Sequence, residues 1–315
     1  MQFAVEAWDP EYGTGGDADA LDSSTDVVDA DVEVPRAQWA PITPLAEPPT
    51  GVIYFVDGVR RIDARIWVAD GGRVLPGSCA TVAAGSVACM PNAALVHDVK
   101  VKRAVFTPPA DSAESIVTDF GEYVHVPVKT GTPEDLYLGI HEQMTDLETQ
   151  TVPVAASSDL IVFDGPLRGR SVPRSVGLIK TQHVQYLDDP EQLVVGTLDA
   201  GQRTPLFLIG AGGFARWSWY LRLPGPRTHG WAGVVRCEMA AGAIHSVDSL
   251  GDASEMANVI SATLPRYASE PHKESRAPQN LYPIKGLEAA LRRRLGDQRL
   301  LQRALRRSST VGSAD

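Results

Sequence analysis

Two stretches of this chain share one signature, a short apolar run that closes on Asp-Gly. The first is Ile53-Tyr-Phe-Val-Asp57-Gly58, inside the segment 51–70; the second is Leu160-Ile-Val-Phe-Asp164-Gly165-Pro-Leu167. Runs of four or five apolar residues read as strands buried in a sheet. Each would deliver an aspartate to its own C-terminal end, with a glycine where the backbone turns away. A carboxylate is costly to bury unless something pairs with it. Two of them on neighbouring strands would begin a site for a hard divalent cation, which prefers oxygen ligands. The plainer reading stands beside this one: Asp-Gly is a common turn opener.

The rest of the chain is ordered around these strands. Residues 1–35 hold ten Asp or Glu and no Lys or Arg, so the remaining 280 carry 29 acids against 29 bases. The formal charge of -10 therefore belongs to an acidic leader, and the body is neutral, which neither favours nor excludes nucleic acid. Within the leader, residues 9–35 have too few large apolar side chains to offset chain entropy and are expected to be flexible, while 1–8 could form an edge strand. A proline-rich connector, 40–50, completes a non-globular segment 1–50; the folded body is expected over 51–308 and a disordered tail over 309–315. Cys79, Cys89 and Cys237 show no metal-binding spacing and read as buried reduced thiols. No apolar segment approaches ~18 residues and no signal-peptide pattern opens the chain, so the expected location is the cytoplasm, away from membranes.

Periodicity predicts an antiparallel pair over 53–57 and 62–68 with a tight turn at Gly58, then strands over 78–90 and 95–107. A helical stripe follows over 133–152, opened by Thr132-Pro133-Glu134-Asp135. After the strand at 159–164 come strands over 206–209, 217–223 and 234–238, and two closing helices over 249–267 and 284–307. The cluster Gly210-Ala-Gly212-Gly213 lacks the βαβ context of a nucleotide loop and reads as a turn. The order β-β-β-α-β predicts an α/β fold, a ribonuclease H-like mixed sheet flanked by helices, with extra strands and C-terminal helices as elaborations; other folds share that order.

Further candidates cluster near the two aspartates. Glu148 lies on the helix before the second strand, beside core-facing Leu147, where a third ligand would stand; Glu142 and Asp146 compete for that role. Lys180 follows a loop with Arg168, Arg170 and Arg174, cations that could neutralise a scissile phosphodiester, although a surface lysine is the commoner meaning. The last helix carries Arg292, Arg293, Arg294, Arg299, Arg303, Arg306 and Arg307 against Glu288 and Asp297. Such a strip could track a phosphate backbone, form a solvated face, or bind the acidic leader.

Taken together, these segments resemble the NurA family of DNA-repair nucleases. The resemblance rests on Phe55-Val-Asp57-Gly58, the acid-bearing helix through Met144–Glu148, Leu160 to Leu167, Gly177-Leu-Ile-Lys180-Thr181, and Tyr282-Pro-Ile with the following Leu287-Glu-Ala-Ala290. It implies a manganese- or magnesium-dependent nuclease acting on DNA ends as single-strand endonuclease and 5′-to-3′ exonuclease. It further implies a homodimer that works with a HerA-type hexameric ATPase in resection of double-strand breaks. Under the resemblance Asp57, Glu148 and Asp164 become metal ligands and Lys180 a catalytic cation. Two departures stand out. Val59 replaces a frequent serine, and Ala290 or Leu291 occupies the place of a histidine in the last helix, for which His183 is a substitute candidate.

Overall fold

A computed structural model describes residues 27–153, 159–167, 169–170, 172–181, 184–210, 215–241 and 250–311. In chain order the strands are β1 (Val28–Asp29), β2 (Ile53–Asp70), β3 (Arg73–Met90), β4 (Ala93–Thr107), β5 (Ile116–Thr118) and β6 (Gly121–Pro127), followed by helix α1 (Pro133–Gln150). Then come β7 (Leu160–Asp164), β8 (Ser175–Ile179), α2 (Asp189–Thr197), β9 (Phe207–Ile209), β10 (Arg216–Arg222) and β11 (Val234–Ala240). The chain closes with α3 (Leu250–Thr263), a 3-10 turn Leu264–Tyr267, α4 (Tyr282–Arg294) and α5 (Gln298–Val311). The class is mixed α/β. The chain divides into two compact units, one of residues 1–55, 87–95 and 154–285, the other of 56–86, 96–153 and 286–315.

In the first unit the strand order is β1-β9-β10-β11-β8-β7. β7 and β8 run parallel, with Asp164 opposite Leu178; the remaining pairs are antiparallel. One core joins Trp39, Leu187, Val195, Leu198, Phe207, Ile209 and Tyr220. Residues 27–35, expected to be flexible, are placed: Val28 pairs with Ile209, and the Glu33 carboxylate takes both arms of buried Arg203 at 2.8 and 2.9 Å. A bidentate ion pair of that kind supplies what the segment's composition lacks. Residues 1–26, including the possible edge strand, lie outside the described residues.

In the second unit the order is β2-β3-β4-β6-β5, with β4 and β6 parallel and β5 and β6 antiparallel. β2 and β3 are joined through Gly71 and Gly72, whose φ of 55° and 83° are those of a two-residue hairpin turn. The middle of β3 is a run of small residues buried on both faces, and its period of two sorts the packing. Ala80, Val82 and Ala84 meet α1 through Leu136, Ile140, Met144 and Leu147. Cys79 packs with Val105, Tyr123 and Leu305 of α5, and a Cβ on Gly85 would touch Leu287 and Leu291 of α4. All three cysteines are free and buried. Burial pushes the Cys79 thiol up to about 12 and that of Cys89 up to about 11; Cys237 moves in the same direction for the same reason.

Three sequence expectations are corrected. No turn breaks the chain at Gly58: β2 runs unbroken through eighteen residues, Ile53–Asp70, so Asp57 sits inside a strand rather than at its end. The helix expected over 284–307 is two helices separated at Gly296, whose φ is 79°. Residues 309–311, expected to lie in a disordered tail, belong to α5, which continues through Val311; residues 312–315 lie outside the described residues.

Candidate catalytic carboxylates

Helix α1 determines which acid approaches the strand that carries the first aspartate. Its buried positions are Leu136, Gly139, Ile140, Gln143, Met144, Leu147 and Glu148, the i, i+3, i+4 spacing of one helical face. Glu148 falls on that face and is only 3 % exposed, whereas Glu142 and Asp146 are exposed. The three-way choice left by the sequence therefore resolves in favour of Glu148 as the acid on the buried side. It lands on Gly58: a Cβ there would stand 2.4 Å from Glu148 Oε1 and 2.6 Å from Met144 Cγ. Asp57, next in the chain, is 8 % exposed, and its Oδ1 accepts the Gly58 N–H at 2.7 Å. Glycine at 58 thus lets the helix carboxylate approach the strand backbone beside Asp57.

Asp164 ends β7 as the sequence predicts. Gly165, at φ 93°, turns the chain, and its N–H is bonded to Leu178 O at 2.9 Å. Lys180, just past β8, is no surface lysine: it is 4 % exposed, and its Nζ lies 2.7 Å from Asp164 Oδ1 and 2.8 Å from Oδ2. A third bond runs from Nζ to Asn280 Oδ1 at 2.9 Å. Behind it, Asn280 donates to Glu274 Oε2 at 3.3 Å. Burial raises the Glu274 carboxyl, but the Arg276 N–H and guanidinium and the Asn280 amide outweigh it, bringing the group down to about 2. Asp164 and Lys180 are thereby one end of a largely buried chain of charged and amide groups whose far end stays ionised.

Sequence reasoning missed Asn280, Glu274 and Glu238. Glu238 is fully buried; its Oε1 accepts the Leu167 N–H at 2.6 Å and its Oε2 the Arg236 guanidinium at 2.9 Å. It anchors the turn that follows Asp164. A Cβ on Gly177 would be 2.8 Å from Gly165 O and 3.0 Å from Glu238 Cγ, so that glycine permits the close approach. A glutamate and an arginine two residues apart in an otherwise apolar strand, Val234-Val-Arg-Cys-Glu-Met-Ala240, were the available signal. The loop arginines differ from expectation: Arg170 donates to Pro166 O at 2.9 Å and lies over the Phe163 ring, and Arg174 donates to Asp159 O at 2.7 Å. Both are engaged in holding the loop. Arg168, His183, Ala211, Gly212 and Gly213 lie outside the described residues.

The fit of a divalent metal can be tested on the donor set. Asp57 and Glu148 offer carboxylate oxygens within one unit, the chemistry that Mg²⁺ and Mn²⁺ prefer. Asp164 has both oxygens on an ammonium group instead. Among the described residues, no three His, Cys, Asp or Glu side chains are grouped to hold a metal ion. The structure thus pairs Asp164 with Lys180; Glu148 packs on Gly58, and Asp57, one residue earlier in the same strand, directs its side chain to the opposite face of β2. At the far end of the chain, Leu291 is fully buried and Ala290 half-buried, so neither position supplies a titratable group. The basic strip is divided between α4 and α5; Arg292 pairs with Glu288 and Arg307 with Asp119. No described helix is long and apolar enough to cross a membrane.

No family model matches this chain, and no curated protein matches it by sequence. Among solved structures it is similar to the crystal structure of the NurA nuclease from Sulfolobus solfataricus, with a TM-score of 0.46 and 13 % identity over 80 % of this chain and 81 % of that one. A likeness of that size assigns no residue its role.

Proposed function

We propose that this chain is a divalent-metal-dependent DNA nuclease with a ribonuclease H-like core. The observation that carries the reading is the Asp164–Lys180 pair: a carboxylate at the end of a buried strand with a buried ammonium group on both of its oxygens, the charges a phosphodiester-cleaving site needs. Asp57 and Glu148 would hold Mn²⁺ or Mg²⁺, with Asp164 as a further ligand. The metal would supply Lewis-acid activation of water and of the scissile phosphate. Lys180 would place its ammonium against a non-bridging phosphate oxygen, exchanging one carboxylate contact for the substrate's charge. Asn280, held in turn by Glu274, would keep that ammonium oriented.

The finer reading follows the sequence resemblance. The substrate would be DNA ends and single strands, cut endonucleolytically and 5′ to 3′. The active form would be a cytoplasmic homodimer supplied with DNA by a HerA-type hexameric ATPase in double-strand break resection. The test is cleavage of end-labelled single- and double-stranded DNA with Mn²⁺, Mg²⁺ or EDTA. Metal-dependent cleavage should fall at least a hundredfold in Asp57→Ala, Glu148→Ala and Asp164→Ala. Cleavage that survives all three substitutions would remove the site; none under any metal, with or without the ATPase, would remove the activity.

A second reading has its own observations. Leu291 is core rather than a titratable group, and Lys180 already occupies both oxygens of Asp164. These favour a non-catalytic adaptor that docks on a DNA-translocating ATPase. Stimulation of the ATPase by the Asp57→Ala chain as well as by the unaltered one, with no cleavage by either, would select it.

A further inference from the structure

A second concavity lies within the first unit and has no part in the carboxylate chemistry. It encloses about 180 Å³ between Val184, Gln185, Tyr186, Leu187, Gln192, Tyr220 and Trp231. Its position follows from the strand register. Ile179, Arg236 and Tyr220 lie directly opposite one another across β8, β11 and β10 and so share one face of the sheet. Asp164 lies opposite Leu178, which projects to the other face. The concavity is therefore a separate site.

Its walls are aromatic and its edges polar. Tyr220 and Trp231 meet edge to face with centroids 5.4 Å apart, and Phe207 stacks behind Tyr220 at 5.8 Å. Tyr186 has the Arg236 guanidinium on one face, 4.7 Å from its centroid. Tyr220 is only 2 % exposed, yet no described residue bonds its hydroxyl. Burial pushes that hydroxyl up to about 12, so it remains a donor at neutral pH. The Gln192 amide is fixed by its bond to Leu187 O at 2.8 Å, which uses one N–H and leaves the second N–H as a donor and the oxygen as an acceptor. The volume is well below the roughly 300–1,000 Å³ that holds a drug-sized ligand, and slightly above the ~150 Å³ that holds one benzene. It suits one flat ring system with donors and acceptors on its edge.

We propose that this concavity binds a nucleobase, stacked on the Tyr186 and Trp231 walls and read at its edge by the Tyr220 hydroxyl and the Gln192 amide. Stacking of this kind tolerates any base, because every base presents a π face, while the amide and hydroxyl add selectivity. The base could arrive on a free nucleotide or within a single strand.

Titration calorimetry of the full chain in EDTA, which prevents metal-dependent cleavage, tests this with five probes: dAMP, dTMP, 2-deoxyribose 5-phosphate, and a short single-stranded oligonucleotide with and without abasic positions. The nucleotides or the base-bearing oligonucleotide should bind, and the sugar phosphate and abasic strand should not. Binding of mononucleotides assigns the site to free nucleotide, and binding of the oligonucleotide alone assigns it to a strand. Trp231→Ala and Gln192→Leu, the latter altering only a partly exposed amide, should weaken binding roughly tenfold or more. Asp164→Asn should leave it unchanged, which separates this site from the proposed nuclease centre. Equal binding of the sugar phosphate, unaltered affinity in both pocket variants, or no binding of any base-bearing probe would overturn it.

Discussion

A methyl group added at Gly58 would lie 2.4 Å from Glu148 Oε1 and 2.6 Å from Met144 Cγ, distances that real Cβ atoms do not adopt. The neighbours would have to move, and overpacking of this kind costs ~1–3 kcal/mol. Gly58→Ala should therefore lower the thermal midpoint by several degrees. Pairing it with Met144→Ala should recover part of the loss; an unchanged melt for Gly58→Ala would show that α1 does not rest on β2 there. The same glycine shows what could be read from the sequence at this scale. Asp57 and Asp164 were recognisable from the apolar runs preceding them. At Asp164 the turn was real, because Gly165 adopts a left-handed φ of 93°. At Asp57 the identical dipeptide sits within a continuous strand, and its glycine answers to a helix some ninety residues away. No local pattern distinguishes the two uses. Glu148 was legible as a candidate because it lies one turn beyond Met144, but choosing it over Glu142 and Asp146 required the packed face.

Elements were legible where their periodicity was long and obscure where a terminus was decided by one or two residues. The helix over 133–152, the strand before Asp164 and β10 were all close to their observed spans. α4 and α5 were read as one because their arginines continue the same pattern across the break. The break was written in the sequence as Leu295-Gly296-Asp297. Gly296 takes φ 79°, Arg61 donates to Gly296 O at 2.8 Å and Leu295 O at 3.0 Å, and Asp297 Oδ1 accepts the Leu300 N–H at 2.9 Å. One helix is closed by a left-handed glycine and the next opened by an aspartate cap. Gly296→Ala should cost about 1–2 kcal/mol through the left-handed backbone alone. Urea denaturation would measure it, and no loss would mean that the break tolerates an ordinary residue. The short strands β1, β5 and β6 and the helix α2 were missed because each draws its order from partners distant in sequence, as Val28 does from Ile209.

At the scale of the whole molecule, acid should be the more damaging direction of pH. Burial raises both Glu33 and Glu274, but Arg203 and Ser254 in one case and the Arg276 and Asn280 contacts in the other bring each below its ordinary value, Glu274 to about 2. A carboxyl lowered on folding contributes stability above its unfolded value near 4.5, and that contribution is lost as pH falls from there toward 2. The thermal midpoint should therefore decline below about pH 4.5, and Glu274→Gln should flatten part of that decline. A midpoint as high at pH 3 as at pH 6 would contradict it. The three interior thiols have a different use. Cys79 lies in the second compact unit, and Cys89 and Cys237 in the first. Because thiolate is the reacting form and burial suppresses it, none should react with a water-soluble maleimide until its surroundings open. Mass spectrometry of timed labelling would then act as a clock for each unit, and whether the two clocks keep the same time would measure their cooperativity.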